Sequence, residues 1–168
     1  MTSLAPVRIY IAIRRPEDRS HIEDELVLDG SSVSCFASAN ELWDHFRRRP
    51  CRFVITDRRF GDDGFDGLEL LRCIRQHYPI PYVYVLMRSV TPEIKDLKHG
   101  LELGVDDYLV LPHNPFEIRA RVLVGMRWLT YIDSITGSPQ MESPKSENAS
   151  VLNGLSAGHS AQPVVRGQ

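Results

Sequence analysis

The chain has 168 residues, 42% hydrophobic and 25% charged, with a formal net charge of −2. That is enough for one domain of ordinary size with a real core, plus a tail. So mild a charge excludes the basic surface that nucleic acid demands, and no apolar stretch approaches the length needed to span a bilayer.

Residues 1–6 form an N-terminal extension without the basic-then-apolar layout of a secretory signal, so the chain is expected in the cytoplasm. Val7–Ile13, apolar and β-branched, predicts a first strand. Pro16 with Glu17 and Asp18 opens a first helix, with Ile22, Leu26 and Val27 as its inner face and Gly30 at its end. Val33–Phe36 predicts a second strand. Ser38 is placed to cap a second helix carrying Leu42, Trp43 and Phe46, which Pro50 stops. The Arg47-Arg48-Arg49 run closes that helix at the end of the dipole that favours cations. Arg52–Thr56 is a third strand, with Asp57 at its C-terminal lip. Gly67 to His77 carries Leu68, Leu70, Leu71 and Ile74 on one helical face. Tyr82–Met87 predicts a fourth strand, and Thr91-Pro92-Glu93 the cap and first turn of a helix that Gly104 closes. Tyr108–Val110 is a fifth strand, and Asn114-Pro115 starts a long last helix.

That helix carries two apolar stripes. Ile118, Val122, Met126, Leu129 and Ile132 are expected to pack on a sheet; Val124, Trp128 and Tyr131, weakened by Gly125, point to a partner surface. Strands alternating with helices argue a parallel sheet covered on both faces, an α/β (βα)5 sandwich spanning 7–132. Residues 133–168 are rich in Ser, Gly, Pro, Asn and Gln and lack a sustained period. They are expected to form a disordered tail, with Val151-Leu152 and Leu155 as a candidate docking motif.

A carboxylate at the lip of a buried strand faces the crevice where open α/β sheets bind ligands, so Asp57 is a candidate phosphate acceptor or metal ligand. Other chemistries fit poorly. The turn Ile13-Arg14-Arg15-Pro16-Glu17 has no glycine, which excludes a P-loop and a dinucleotide fingerprint. His45, His77 and His99 stand singly on helical segments, and Cys35, Cys51 and Cys73 lack metal-binding spacing and read as reduced thiols. Asp62, Asp63 and Asp66 fall in a glycine-rich loop and are expected to make turns. An EF-hand counted from Asp62 fails at Cys73. Asp106-Asp107 are expected to shape the turn into the fifth strand.

Three stretches carry a family resemblance: Val54-Ile55-Thr56-Asp57 with Gly64 to Leu71, Gly100 to Val110, and Pro112 with Asn114-Pro115-Phe116-Glu117. In this order and spacing they resemble the receiver domain of two-component response regulators, of the chemotaxis-regulator type, over about residues 7–130. The resemblance implies a flavodoxin-like doubly wound sheet of five strands, with Asp57 as phospho-acceptor. It implies a magnesium-binding acidic pair after strand one, a hydroxyl ending strand four, and a lysine before a cis proline after strand five. It also implies Tyr108 as a switch aromatic, and signalling through the face of helix four, strand five and helix five.

The chain departs from that pattern. Ile13 and Arg14 fall at the acidic pair, Met87 at the hydroxyl position and Leu111 at the lysine. Arg14 or Arg15 is expected to take the metal's place and hold Asp57 ionised. The resulting expectation is a stand-alone degenerate receiver, not an enzyme and without a cofactor. It would act on a protein partner, namely a histidine kinase, an output protein or a second copy, through a face including Tyr108 and Trp128. Two alternatives remain open: a phospho-accepting receiver with a non-standard magnesium site drawn from Asp62, Asp63, Asp66, Glu17 and Asp18, and a sensor binding a small ligand in an apolar pocket beside Met87 and Leu111.

Overall fold

The computed structural model describes residues 7–27, 31–61, 64–90 and 93–137. Residues 1–6, Gly30, the Asp62-Asp63 pair, the Thr91-Pro92 cap and the segment 138–168 with its docking motif lie outside the described residues. The strands are β1 (Arg8–Ala12), β2 (Ser32–Phe36), β3 (Phe53–Asp57), β4 (Tyr84–Ser89) and β5 (Asp107–Val110). They form one parallel sheet in the order β2-β1-β3-β4-β5. Between and after them run α1 (Pro16–Val27), α2 (Ala39–Arg48), α3 (Gly67–His77), α4 (Ile94–Glu102) and α5 (Pro115–Thr136).

Period-two alternation along the strands divides the apolar residues between two cores. Tyr10, Val54, Val85 and Met87 join residues of α2 and α3 on one face of the sheet. Ile9, Ile11, Phe53, Ile55 and Leu86 join residues of α1 and α5 on the other. Because every strand runs the same way, all five C-terminal ends gather at one edge, and Asp57 lies near its middle, on the central strand.

Ser38 and Asn114 cap α2 and α5 as their positions predict, each accepting a backbone N–H two to three residues into the helix. Asp66 does the same for α3, accepting from the N–H groups of Leu68 and Glu69. Gly67 packs directly on the backbone of Asp57, where a Cβ would overlap the Asp57 carbonyl oxygen.

Four expectations are corrected. Val27 is exposed, so the inner face of α1 is Ile22 and Leu26 alone. Helix α4 begins at Ile94 with Glu93 at its cap position. Strand β4 lies two residues later than its apolar run suggests and continues through Arg88 and Ser89. Helix α5 continues through residues 133–136, which were expected in the tail, and Gly137 ends it at φ +64°. On α5 the first stripe packs down through Ile118, Val122 and Leu129, while Val124, Trp128 and Tyr131 stand exposed. Gly125 lies between the stripes on the packed side. A Cβ there would come within 2.5 Å of Phe53 and 2.8 Å of Tyr84, so the glycine lets α5 approach the sheet closely.

Candidate functional site

The crevice at the C-terminal edge begins with the β1–α1 turn. Arg19 Nη1 donates to the carbonyls of Ile13 (2.6 Å) and Arg14 (3.1 Å), closing the turn on the first helix. The turn thereby presents the Arg14 N–H to Asp57, whose Oδ2 accepts it at 2.9 Å. Ile13 is fully buried in the core shared with α1 and α5, and the Arg14 side chain is exposed.

The guanidinium in contact with Asp57 comes from neither Arg14 nor Arg15. In the parallel register Asp57 pairs with Arg88, so the two side chains leave adjacent strands on one face. Arg88 is 1% exposed, with Nη1 3.2 Å from Asp57 Oδ1 and Nη2 2.8 Å from Asp18 Oδ2 in the first turn of α1. One buried cation thus bridges two carboxylates. The expected contact of the Arg14 or Arg15 guanidinium with Asp57 is corrected: the guanidinium beside Asp57 is that of Arg88. The sequence held only part of the signal, a lone arginine between Met87 and Ser89 directly after an apolar run; the strand register supplies its partner.

The same register corrects Met87. It pairs with Thr56, is fully buried, and belongs to the core under α2 and α3. Ser89, two residues on, reaches the crevice, so the hydroxyl missing from the expected pattern is present there. Leu111 lines the crevice as expected, and the Leu111–Pro112 peptide is cis, as is Ile80–Pro81.

Burial pushes the Asp57 carboxyl above the usual carboxylate range; Arg88 and the Arg14 N–H pull it back only in part, and the Asp18 charge adds to the rise. Desolvation by burial outweighs the pull of the guanidinium on the Asp57 carboxyl.

Arg58, next in the chain, turns across to α4 and pairs with Asp96 at 2.5 Å. That pair holds the Asp96 carboxyl below its usual value. Tyr108 on β5 extends toward α4, with its hydroxyl buried, unpartnered, and at the place a Cβ on Gly100 would occupy. Gly100 is thus what admits the ring. Asp106 joins three elements, accepting from Tyr82 Oη, Arg75 and the Val85 N–H, while Asp107 pairs with Arg121 of α5. Asp106, just before β5, and Asp107, its first residue, thus both brace the strand.

The crevice encloses about 670 Å³. Five arginines line it, Arg14, Arg15, Arg58, Arg59 and Arg88, which corrects the expectation of an apolar pocket beside Met87 and Leu111. A divalent cation fits this donor set poorly, because Arg88 already lies between Asp57 and Asp18, and Asp66 is spent on its helix cap. Among the described residues no group of three His, Cys, Asp or Glu side chains is placed to hold a metal. The rings of Trp128 and Tyr131 lie 5.8 Å apart, tilted by 30°, on the exposed face of α5, far along the helix from its N-terminal cap.

A parallel five-stranded sheet with an aspartate at the lip of its central strand is the architecture of a receiver domain, and the comparisons agree. The response regulator receiver domain family matches residues 15–123, and the chain belongs to that family, whose members serve two-component signalling. Relatives include the regulatory protein VanRc of Enterococcus gallinarum, 32% identical over 68% of this chain and 47% of that protein. Another is the transcriptional regulatory protein BaeR of Escherichia coli, 30% identical over 71% and 48%. The chain spans about half the length of these relatives. Among solved structures, the receiver domain of a LuxO repressor protein from Vibrio parahaemolyticus superposes with a TM-score of 0.70 at 15% identity, covering 77% of this chain and 97% of that one. A CheY-like receiver from Methanospirillum hungatei gives 0.69 at 19%, covering 76% and 98%. At such identities the likeness speaks for the fold.

Proposed function

We propose that this chain is a degenerate receiver that signals by binding another protein, with little or no magnesium-dependent phosphorylation at Asp57. The observation that carries the reading is the Asp57–Arg88–Asp18 bridge. Phosphoryl transfer to a carboxylate depends on a cation that can neutralise charge on the incoming group. Arg88 is committed to two carboxylates and fully buried, Ile13 offers no ligand, and Leu111 replaces the lysine with an apolar side chain. The protein is then a cytoplasmic signalling module and not an enzyme. Its partner is a histidine kinase, an output protein or a second copy, and the surface that supports this is Val110, Val124, Trp128 and Tyr131, exposed on β5 and α5.

The rival reading is a receiver that still accepts phosphate at Asp57 through a non-standard metal site. Ser89 favours it, since a hydroxyl does line the crevice beside the acceptor. Incubation with MgCl₂ and acetyl phosphate followed by intact-mass measurement separates the two. The degenerate reading expects unchanged mass, whereas a phosphoryl adduct lost in Asp57→Asn establishes the rival.

A further inference from the structure

Among the described residues, each acid lining the crevice has a cation beside it. Asp18 and Asp57 share Arg88, Asp96 takes Arg58, and Glu93 lies 4.0 Å from Lys95. Three arginines of the lining make none of these pairs. Arg14, Arg15 and Arg59 are exposed at the crevice, and among the described residues none has a carboxylate within ion-pair distance. Each guanidinium carries five fixed N–H donors and no acceptor, so three of them around one concavity form a site for an oxygen-rich anion.

A second observation lies at the floor. Arg88, 1% exposed, has Nε and Nη1 without a hydrogen-bond acceptor, its contact to Asp57 being an ion pair at 3.2 Å without hydrogen-bond geometry. The Nε of Arg58 is likewise buried and unpartnered. Buried donors left unmade are costly and rare in native proteins. Here they occur together, on two side chains that line the same cavity.

We propose that the crevice binds a phosphorylated small molecule non-covalently, with Arg14, Arg15 and Arg59 gripping the phosphate above Arg88. Five arginines against the four carboxylates of Asp18, Asp57, Glu93 and Asp96 leave the lining net positive, which favours an anion, and a phosphate monoester, at about −1.5 to −2 at neutral pH, brings several acceptor oxygens for the guanidinium donors. Guanidinium forks match phosphate oxygens in geometry as well as charge. A volume of about 670 Å³ admits a ligand of nucleotide size. The ligand would place a phosphate above Asp57 without any bond forming to it. The proposal rests on the degenerate reading, in that Arg88 rather than a metal holds the floor of the site.

Calorimetric titration of the full chain tests it, in EDTA and at constant ionic strength set with chloride. The probes are inorganic phosphate, pyrophosphate and adenosine 5′-monophosphate. Saturable binding of at least one is expected, and Arg15→Ala with Arg59→Ala should weaken it by about tenfold or more. Both side chains are exposed, so the variant keeps its fold, verified by circular dichroism; Arg72→Ala on α3 serves as a control with unchanged affinity. Tighter binding of the mononucleotide than of phosphate identifies an organic phosphate, and equal binding identifies the free anion. Absence of saturable heat with all three probes, or equal affinity in the arginine variant, overturns the proposal. A covalent adduct formed with magnesium and acetyl phosphate instead overturns the degenerate reading, so the two failures are distinguishable.

Discussion

Arg88 is held from two sides, by Asp57 on its own sheet and by Asp18 on the first helix, and it is almost fully buried. A charge pair at ~4 Å and an effective dielectric of about 20 is worth roughly 4 kcal/mol, much of which desolvation cancels. Removing one partner is another matter, because it strands the rest. Arg88→Met leaves Asp57 and Asp18 facing each other without a cation, and we expect a loss of about 2–3 kcal/mol in urea denaturation, discounted for the partial exposure of both carboxylates. A variant as stable as the parent would show that the bridge contributes nothing. Asp57 also predicts a pH dependence. Its folded value lies above the ordinary ~3.9, so the folded state binds the proton more tightly than the unfolded chain. Stability from this group is therefore full below the unfolded value and declines as pH rises through the folded one. Measured against Asp57→Asn, the parent should lose relative stability across that window; a difference constant with pH would contradict the burial argument.

At the scale of elements, strand β4 decides what the crevice contains. Its apolar run ends at Met87, and a charged residue next in line reads as the end of a buried strand. The strand instead continues, because Arg88 finds two carboxylates and Ser89 opens onto the crevice. Propensity and period fix the type of such an element well and its ends poorly. Ser38, Asn114 and the apolar faces of α2 and α3 were legible, since caps and periodicity are local. The pairing of Asp57 with Arg88 was not, since it depends on register between strands 31 residues apart in sequence. Helix α4 and strand β5 meet in a second close fit, Gly100 against Tyr108. Alanine at Gly100 gains helix propensity of about 1 kcal/mol, yet overpacking of this kind costs about 1–3 kcal/mol. A net loss is expected in Gly100→Ala. Tyr108→Phe in the same chain, by removing the overlapping hydroxyl, should restore part of it. Strictly additive effects in that double-mutant cycle would mean that ring and helix are not in contact.

At the scale of the whole molecule, the last helix is tied to the far end of the sheet. Arg52, before β3, donates to the Tyr82 carbonyl at 2.5 Å and makes a bidentate pair with Asp133, at 2.6 and 3.2 Å. Both side chains are nearly buried. The boundary at residue 132 expected from composition would cut this pair and leave Arg52 charged and alone in the interior. A chain ending after Ile132 should therefore be less stable than one ending after Gly137 by about 3–5 kcal/mol, and Asp133→Ala in the full chain should reproduce most of the difference. Equal urea midpoints for the two truncations would place the boundary where composition put it.

Periodicity, caps and an aspartate at a strand end, all readable along one dimension, were enough for the number and order of strands and helices and the place of Asp57, while the receiver family came from the resemblance of three sequence stretches. Only the tertiary structure decided which arginine meets that aspartate, which hydroxyl reaches the crevice, and where the last helix ends. Those outcomes depend on charges separated widely along the chain and brought together by strand register and helix packing. A buried arginine looks the same in sequence as an exposed one until its partners are placed around it.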